Sequence, residues 1–142
     1  MEPNKFIKLI STIPYRPLDK EFKYAEDNKE LITPYLLDVL KNVAENIDSH
    51  SDDISHRIAV YFLAKFREKK AYPLIIKILG SMTGHFNEYI FSDDFDALPN
   101  LLASTFNGDV TLLYGLIENS KADEFSRVAA MESLIVLWQT KQ

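Results

Sequence analysis

His50, Asp52, Asp53 and His56 are the nearest thing in this chain to a ligand set, since imidazoles and carboxylates hold borderline and hard metals. They straddle a polar linker, Asp48-Ser-His-Ser-Asp-Asp53, and the start of a helix. Asp and Ser are expected there as helix caps, which is the simpler use of the same side chains. Asp93, Asp94 and Asp96 invite a calcium reading but lack the alternating acidic spacing, glycine and closing glutamate of an EF-hand loop. His85 stands apart from any nucleophile. The chain has no cysteine, which excludes disulfides, thiolate nucleophiles and cysteine-ligated zinc or iron–sulfur centres within it. Its 4 glycines form neither a phosphate-cradling loop nor a nucleophile elbow. An acidic chain offers many carboxylate pairs for glycoside hydrolysis, and nothing in the sequence selects one. No catalytic residue, metal ligand set or cofactor is therefore expected.

Lys65, Arg67, Lys69 and Lys70, with Lys77 nearby, are the second group whose spacing suggests chemistry, here the binding of phosphate groups. Asp and Glu outnumber Lys and Arg by 21 to 16, giving a formal net charge of −5, which weighs against general binding to nucleic acid or an anionic membrane. Cations at this place also suit the carbonyl end of a helix. No apolar run approaches the ~20 residues that span a bilayer, and the first residues carry no signal-peptide pattern. The location expected by default is the cytoplasm.

The elements that must position these groups read as helices throughout. Ile58, Ala59, Phe62, Leu63 and Phe66 form one apolar stripe, with a basic turn behind it and a second helix opened by Pro73 and stopped by Gly80. Upstream, Phe6, Leu9, Ile10 and Ile13 give a short helix ended by Pro14, and Leu18, Phe22 and Ala25 give another. Thr33-Pro34 reads as a cap followed by a first-turn proline, ahead of a stripe of Leu36, Leu37, Leu40, Val43, Ala44 and Ile47. Downstream, Ser92-Asp93-Asp94 reads as the cap of a helix running roughly to Phe106, with Pro99 either in its first turn or splitting it in two. Asn107-Gly-Asp109 is a turn capping the next helix, and Phe125 to Trp138 is the last. Strand signals are nearly absent. About eight helices are expected in a single domain over 1–142, an all-α chain.

His56-Arg-Ile-Ala59-Val-Tyr-Phe-Leu63 and Arg127-Val-Ala-Ala130-Met-Glu-Ser-Leu134 share a polar or basic residue, an alanine three or so positions on and a leucine seven on. The repetition suggests stacked helix pairs in an α-solenoid. Four stretches, Glu30-Leu-Ile-Thr-Pro-Tyr-Leu-Leu37, Ala64-Lys-Phe-Arg-Glu-Lys-Lys-Ala-Tyr-Pro-Leu74, Leu101-Leu-Ala-Ser-Thr-Phe-Asn-Gly-Asp109 and Asp123-Glu-Phe-Ser-Arg-Val-Ala-Ala130, resemble a bacterial family catalogued as domain of unknown function 1186. The resemblance implies HEAT-like helical repeats, an α-α superhelix, and no established activity. Members of that family are usually longer, and some end in a cysteine-rich zinc motif of the SEC-C type. With no cysteine here, that motif transfers to no residue of this chain.

In Phe125 to Trp138 the polar residues Ser126, Arg127, Glu132 and Ser133 scatter around the helix instead of marking one wet face. A helix apolar nearly all round needs cover on both sides. Leu134, Ile135, Leu137 and Trp138 are expected to meet another helix, from a continuation of the chain beyond Gln142 or from a second copy. The function expected is a non-catalytic protein-interaction or scaffolding module, with a nucleic-acid-binding or nucleic-acid-processing helical-repeat protein as the alternative. The helices from Pro34 to Ile47, Pro73 to Leu79 and Asp109 to Asn119 would line one surface, with Tyr35, Asp38, Lys77, Tyr114 and Glu118 as contact residues. Phe86, Tyr89 and Phe91, in an aromatic segment, are either a lid over the repeats or anchors for a partner.

Overall fold

The computed structural model describes residues 1–11, 19–46, 55–81 and 97–140. Eight α-helices occur among them, with no strand among the described residues: α1 Pro3–Ile10, α2 Asp19–Asp27, α3 Lys29–Glu45, α4 Ser55–Lys65, α5 Ala71–Ser81, α6 Leu98–Thr105, α7 Thr111–Glu118 and α8 Glu124–Gln139.

Each helix buries the stripe that its apolar spacing dictates. On α3 the fully buried side chains are Ile32, Leu36 and Leu40, with Ala44 nearly so, one residue per turn. On α4 Ala59, Phe62 and Leu63 are buried, and Ile58 and Phe66 are half-buried against the same core. The helices alternate between two layers. In one, α3 packs on α5 and α5 on α7; in the other, α4 packs on α6 and α6 on α8. Contacts of α3 with α4 and of α7 with α8 join the layers, so the core lies between them.

At the N-terminal end an aromatic cluster closes the stack. Phe6 of α1 meets Tyr24 of α2 at 5.2 Å and Phe62 of α4 at 5.7 Å between ring centroids. Ala25 is buried as its spacing predicts, but Phe22, which reaches Phe62 edge-on, leaves nearly half its surface in solvent, and Glu21 turns inward in its place.

Thr33-Pro34 does not open a helix. The helix begins at Lys29, and Pro34 lies inside it. The earlier start brings Ile32 into the buried stripe. Pro34 sits on the exposed face of the helix and supplies no N–H to the carbonyl one turn back. Thr33 back-bonds its hydroxyl to the Lys29 carbonyl at 2.6 Å instead of capping. Pro73 and Pro99 do lie in the first turns of α5 and α6, where no backbone N–H is required of them.

The turn between α4 and α5 is closed by two backbone bonds, Glu68 N–H to the Leu63 carbonyl at 2.9 Å and Arg67 N–H to the Ala64 carbonyl at 3.0 Å. That pairing is a Schellman motif, and its left-handed residue is Arg67, at φ 54°. Beyond it, Tyr72 is fully buried, donates its hydroxyl to the Asp109 carbonyl at 2.9 Å and stands edge-on to Phe106 at 5.4 Å, tying α5 to the turn between α6 and α7.

Candidate interaction surface

Helix α8 is capped by Asp123, one residue before its start at Glu124. The Asp123 carboxylate accepts from the Phe125 N–H at 2.8 Å and the Ser126 N–H at 3.3 Å, satisfying two of the free donors of the first turn. The inward face of α8 is made of small side chains, Ser126, Ala129, Ala130 and Ser133, with Leu137 at its end, and it lies against α6 and α7. Small residues let the backbones approach closely. Ser133 satisfies its hydroxyl on the Ala130 carbonyl at 2.7 Å, whereas the buried Ser126 hydroxyl has no hydrogen-bond partner among the described residues. Arg127 donates from Nε to the Ile117 carbonyl at 2.8 Å, placing its cation at the carbonyl end of α7.

With the small residues turned in, the large apolar ones are left outside. Val128, Met131, Ile135 and Trp138 are all exposed, Ile135 by 54% and Trp138 by 82%, and Phe125 at the start of the helix by 64%. The four follow one another at intervals of three, four and three, so at 100° per residue they form a single stripe opposite the buried one. Leu137, expected on this outer face, is buried on the inner one, and Leu134 is half-buried at the edge. Val128 and Met131 complete the outer stripe and were not among the residues expected on it. The signal for them was the run of small residues at Ser126, Ala129, Ala130 and Ser133, which marks the packed side.

The contact residues expected on α3, α5 and α7 are Tyr35, Asp38, Lys77, Tyr114 and Glu118; all are exposed, on three helices that neighbour one another in sequence of layer. Phe86, Tyr89 and Phe91 lie outside the described residues, as do His50, Asp52, Asp53, His85, Asp93, Asp94 and Asp96. His56 is buried at the start of α4 and is engaged in an interaction there. Among the described residues no three His, Asp or Glu side chains converge as a metal site would require.

The basic run divides. Lys65 pairs with Glu26 of α2, and that hydrogen bond and charge hold the Glu26 carboxyl below the usual carboxylate range. Arg67 and Lys69 flank an open cleft of about 370 Å³ with Ser104, Phe106, Asn107 and Gly108. Asn107 accepts the Asp109 N–H at 2.9 Å through its side chain, and Asp109 in turn accepts from Thr111, so this turn caps α7 as its sequence predicts. Burial, reinforced by the Asp109 carboxylate, pushes the Tyr72 phenol up to about 12.

An all-α protein of helix pairs in two layers, with an apolar face turned outward on its last described helix, is the class these observations define. The chain belongs to the family described as protein of unknown function (DUF1186), whose model matches residues 13–142. It is similar to an uncharacterized protein of Chlamydia muridarum (strain MoPn / Nigg), 36% identical over 115 residues that cover 78% of this chain and 45% of that one. An uncharacterized protein of Chlamydia trachomatis serovar D is 37% identical over 110 residues, 75% of this chain and 43% of the relative. The chain thus spans a little under half the length of these curated relatives. No solved structure matches it. No described helix is long and apolar enough to cross a membrane.

Proposed function

We propose that the chain is a non-catalytic protein-interaction module of HEAT-like helical repeats, acting in the bacterial cytoplasm and docking a helix of another protein chain along the outer face of α8. The observation that carries this reading is the stripe of Val128, Met131, Ile135 and Trp138, exposed on a helix whose other side is already packed. Contiguous apolar surface of this kind is uncommon on a free monomer, and aromatic anchors supply a large share of interface energy. Tyr35, Asp38, Lys77, Tyr114 and Glu118 on the other layer would form a second, more polar contact surface.

A photo-crosslinking residue placed at Met131 in bacterial cells tests the reading against the same residue placed at the exposed Lys41 of α3. Protein adducts at position 131 and none at 41 are expected. Equal labelling at both positions, or none at either, overturns the reading.

One observation favours the alternative of a nucleic-acid-binding repeat protein: Arg67 and Lys69 line their cleft without an ion-pair partner among the described residues. That reading predicts a gel shift with single- or double-stranded nucleic acid that is steeply salt-dependent and lost in an Arg67→Glu, Lys69→Glu variant.

A further inference from the structure

We infer that the chain docked on α8 is a second copy of the same protein, with the two α8 helices side by side and parallel. The inference rests on the reading of α8 as a docking surface and names its occupant. Val128, Met131, Ile135 and Trp138 stand at the spacing of alternate core positions of a heptad seam. The first and third, Val128 and Ile135, are β-branched, and the second and fourth are the unbranched Met131 and the planar Trp138. In parallel two-helix seams β-branched side chains favour the first of the two core positions, which is where this stripe has them.

Charge decides the direction. On either side of the stripe stand Arg127 and Glu132, five residues apart, both without an ion-pair partner among the described residues. In a parallel pair Arg127 comes opposite the partner's Glu132, and by symmetry Glu132 comes opposite the partner's Arg127. In an antiparallel pair centred on the same stripe, Glu132 would face the partner's Glu132, a like-charge contact. The Arg127 side chain is already held at Nε by the Ile117 carbonyl, so little freedom remains for it to lose on pairing.

The area sets the strength. Phe125, Val128, Met131, Ile135 and Trp138 together expose roughly 600 Å² per copy, so pairing removes at most about 1,200 Å² in all, the lower end of specific interfaces. A reversible dimer that dissociates on dilution follows, not an obligate one. Because α8 is capped by Asp123 and packed on its inner face, the helix is already formed before pairing. No folding cost is added to the association.

Trp138 is the single tryptophan of the chain, so its emission reports on this face alone. Sedimentation equilibrium and tryptophan emission would be followed together over about 1 to 500 µM, the range in which a small interface of this class titrates. A rise from monomer to dimer mass with a matching blue shift is expected, and both are lost in Ile135→Glu. Glu132 is exposed, so Glu132→Gln tests direction without disturbing the fold. It should raise the dissociation constant by about threefold to tenfold in a parallel pair and lower it in an antiparallel one. A dimer with unshifted Trp138 emission, or one tightened by Glu132→Gln, overturns the inference. A monomer at every concentration also overturns it. In that case adducts of a different protein at position 131 keep the interaction-module reading, and their absence removes both.

Discussion

Arg67 occupies the left-handed position that closes α4, where glycine is the usual residue because a β-carbon crowds the backbone there. Arg67→Gly is expected to raise stability by about 1 kcal/mol, read as a higher denaturation midpoint with unchanged slope. Ser126, buried with its hydroxyl unpaired, points the same way: Ser126→Ala should be neutral or mildly stabilising, since removing an unsatisfied polar group removes its desolvation penalty. Tyr72 gives a pH signature. Its phenol ionises near 10 in the unfolded chain and near 12 in the fold, so the folded state holds the proton more tightly. Its contribution is complete below pH 10 and is lost as pH rises toward 12. In Tyr72→Phe that alkaline fall should flatten, while stability at neutral pH drops by about 1 kcal/mol from the lost bond to the Asp109 carbonyl. Both can be read from urea midpoints measured across that range.

At the scale of the element, α4 and α8 both bury the matched alanine, Ala59 and Ala130, and differ at the leucine four residues on. Leu63 of α4 is fully enclosed, and Leu63→Ala should cost about 2 to 5 kcal/mol; a loss under about half a kilocalorie would mean the face was misassigned. On α8 the matching Leu134 is only half-buried, while Ala130 is fully buried against its neighbours. Ala130→Leu should therefore destabilise the fold by about 1 to 3 kcal/mol through overpacking. Ile135→Ser on the opposite face should leave the stability of the monomer within about 0.5 kcal/mol. The cap matters in its own right. Removing the Asp123 carboxylate by Asp123→Ala should cost about 1 kcal/mol and fray the first turn of α8, visible as lost amide protection at Phe125 and Ser126.

At the scale of the whole molecule, the two layers end differently. Toward the N-terminus the rings of Phe6, Tyr24 and Phe62 close the core, with Phe22 edge-on at their rim and nearly half in solvent. At the α8 end the described residues offer no such closure, and the apolar face meets solvent. Helix-pair stacks are stabilised by contacts between neighbours and need a polar or covered terminal surface. That asymmetry supports the proposal of a docking surface on α8. It also makes solubility a whole-molecule observable: Ile135→Glu should raise the concentration at which the chain stays dispersed, at unchanged helix content by circular dichroism.

Helix identity and the inward stripes were legible in the sequence, because apolar residues at helical intervals leave little choice of face: Leu36, Leu40, Ala59 and Leu63 are all buried where spacing puts them. The capping turn at Asn107-Gly-Asp109 was legible for the same local reason, whereas the Asp123 cap was not read from the sequence. Pro34 misled, since a proline after threonine favours a helix start, and only the burial of Ile32 by α3's neighbours draws the helix one turn further back. On α8 the composition was apolar nearly all round, so periodicity could say that two faces needed cover but not which would receive it. The choice was made by packing. Close approach of α6 and α7 selects the small residues Ser126, Ala129, Ala130 and Ser133, and what remains outside is the stripe that ends in Trp138.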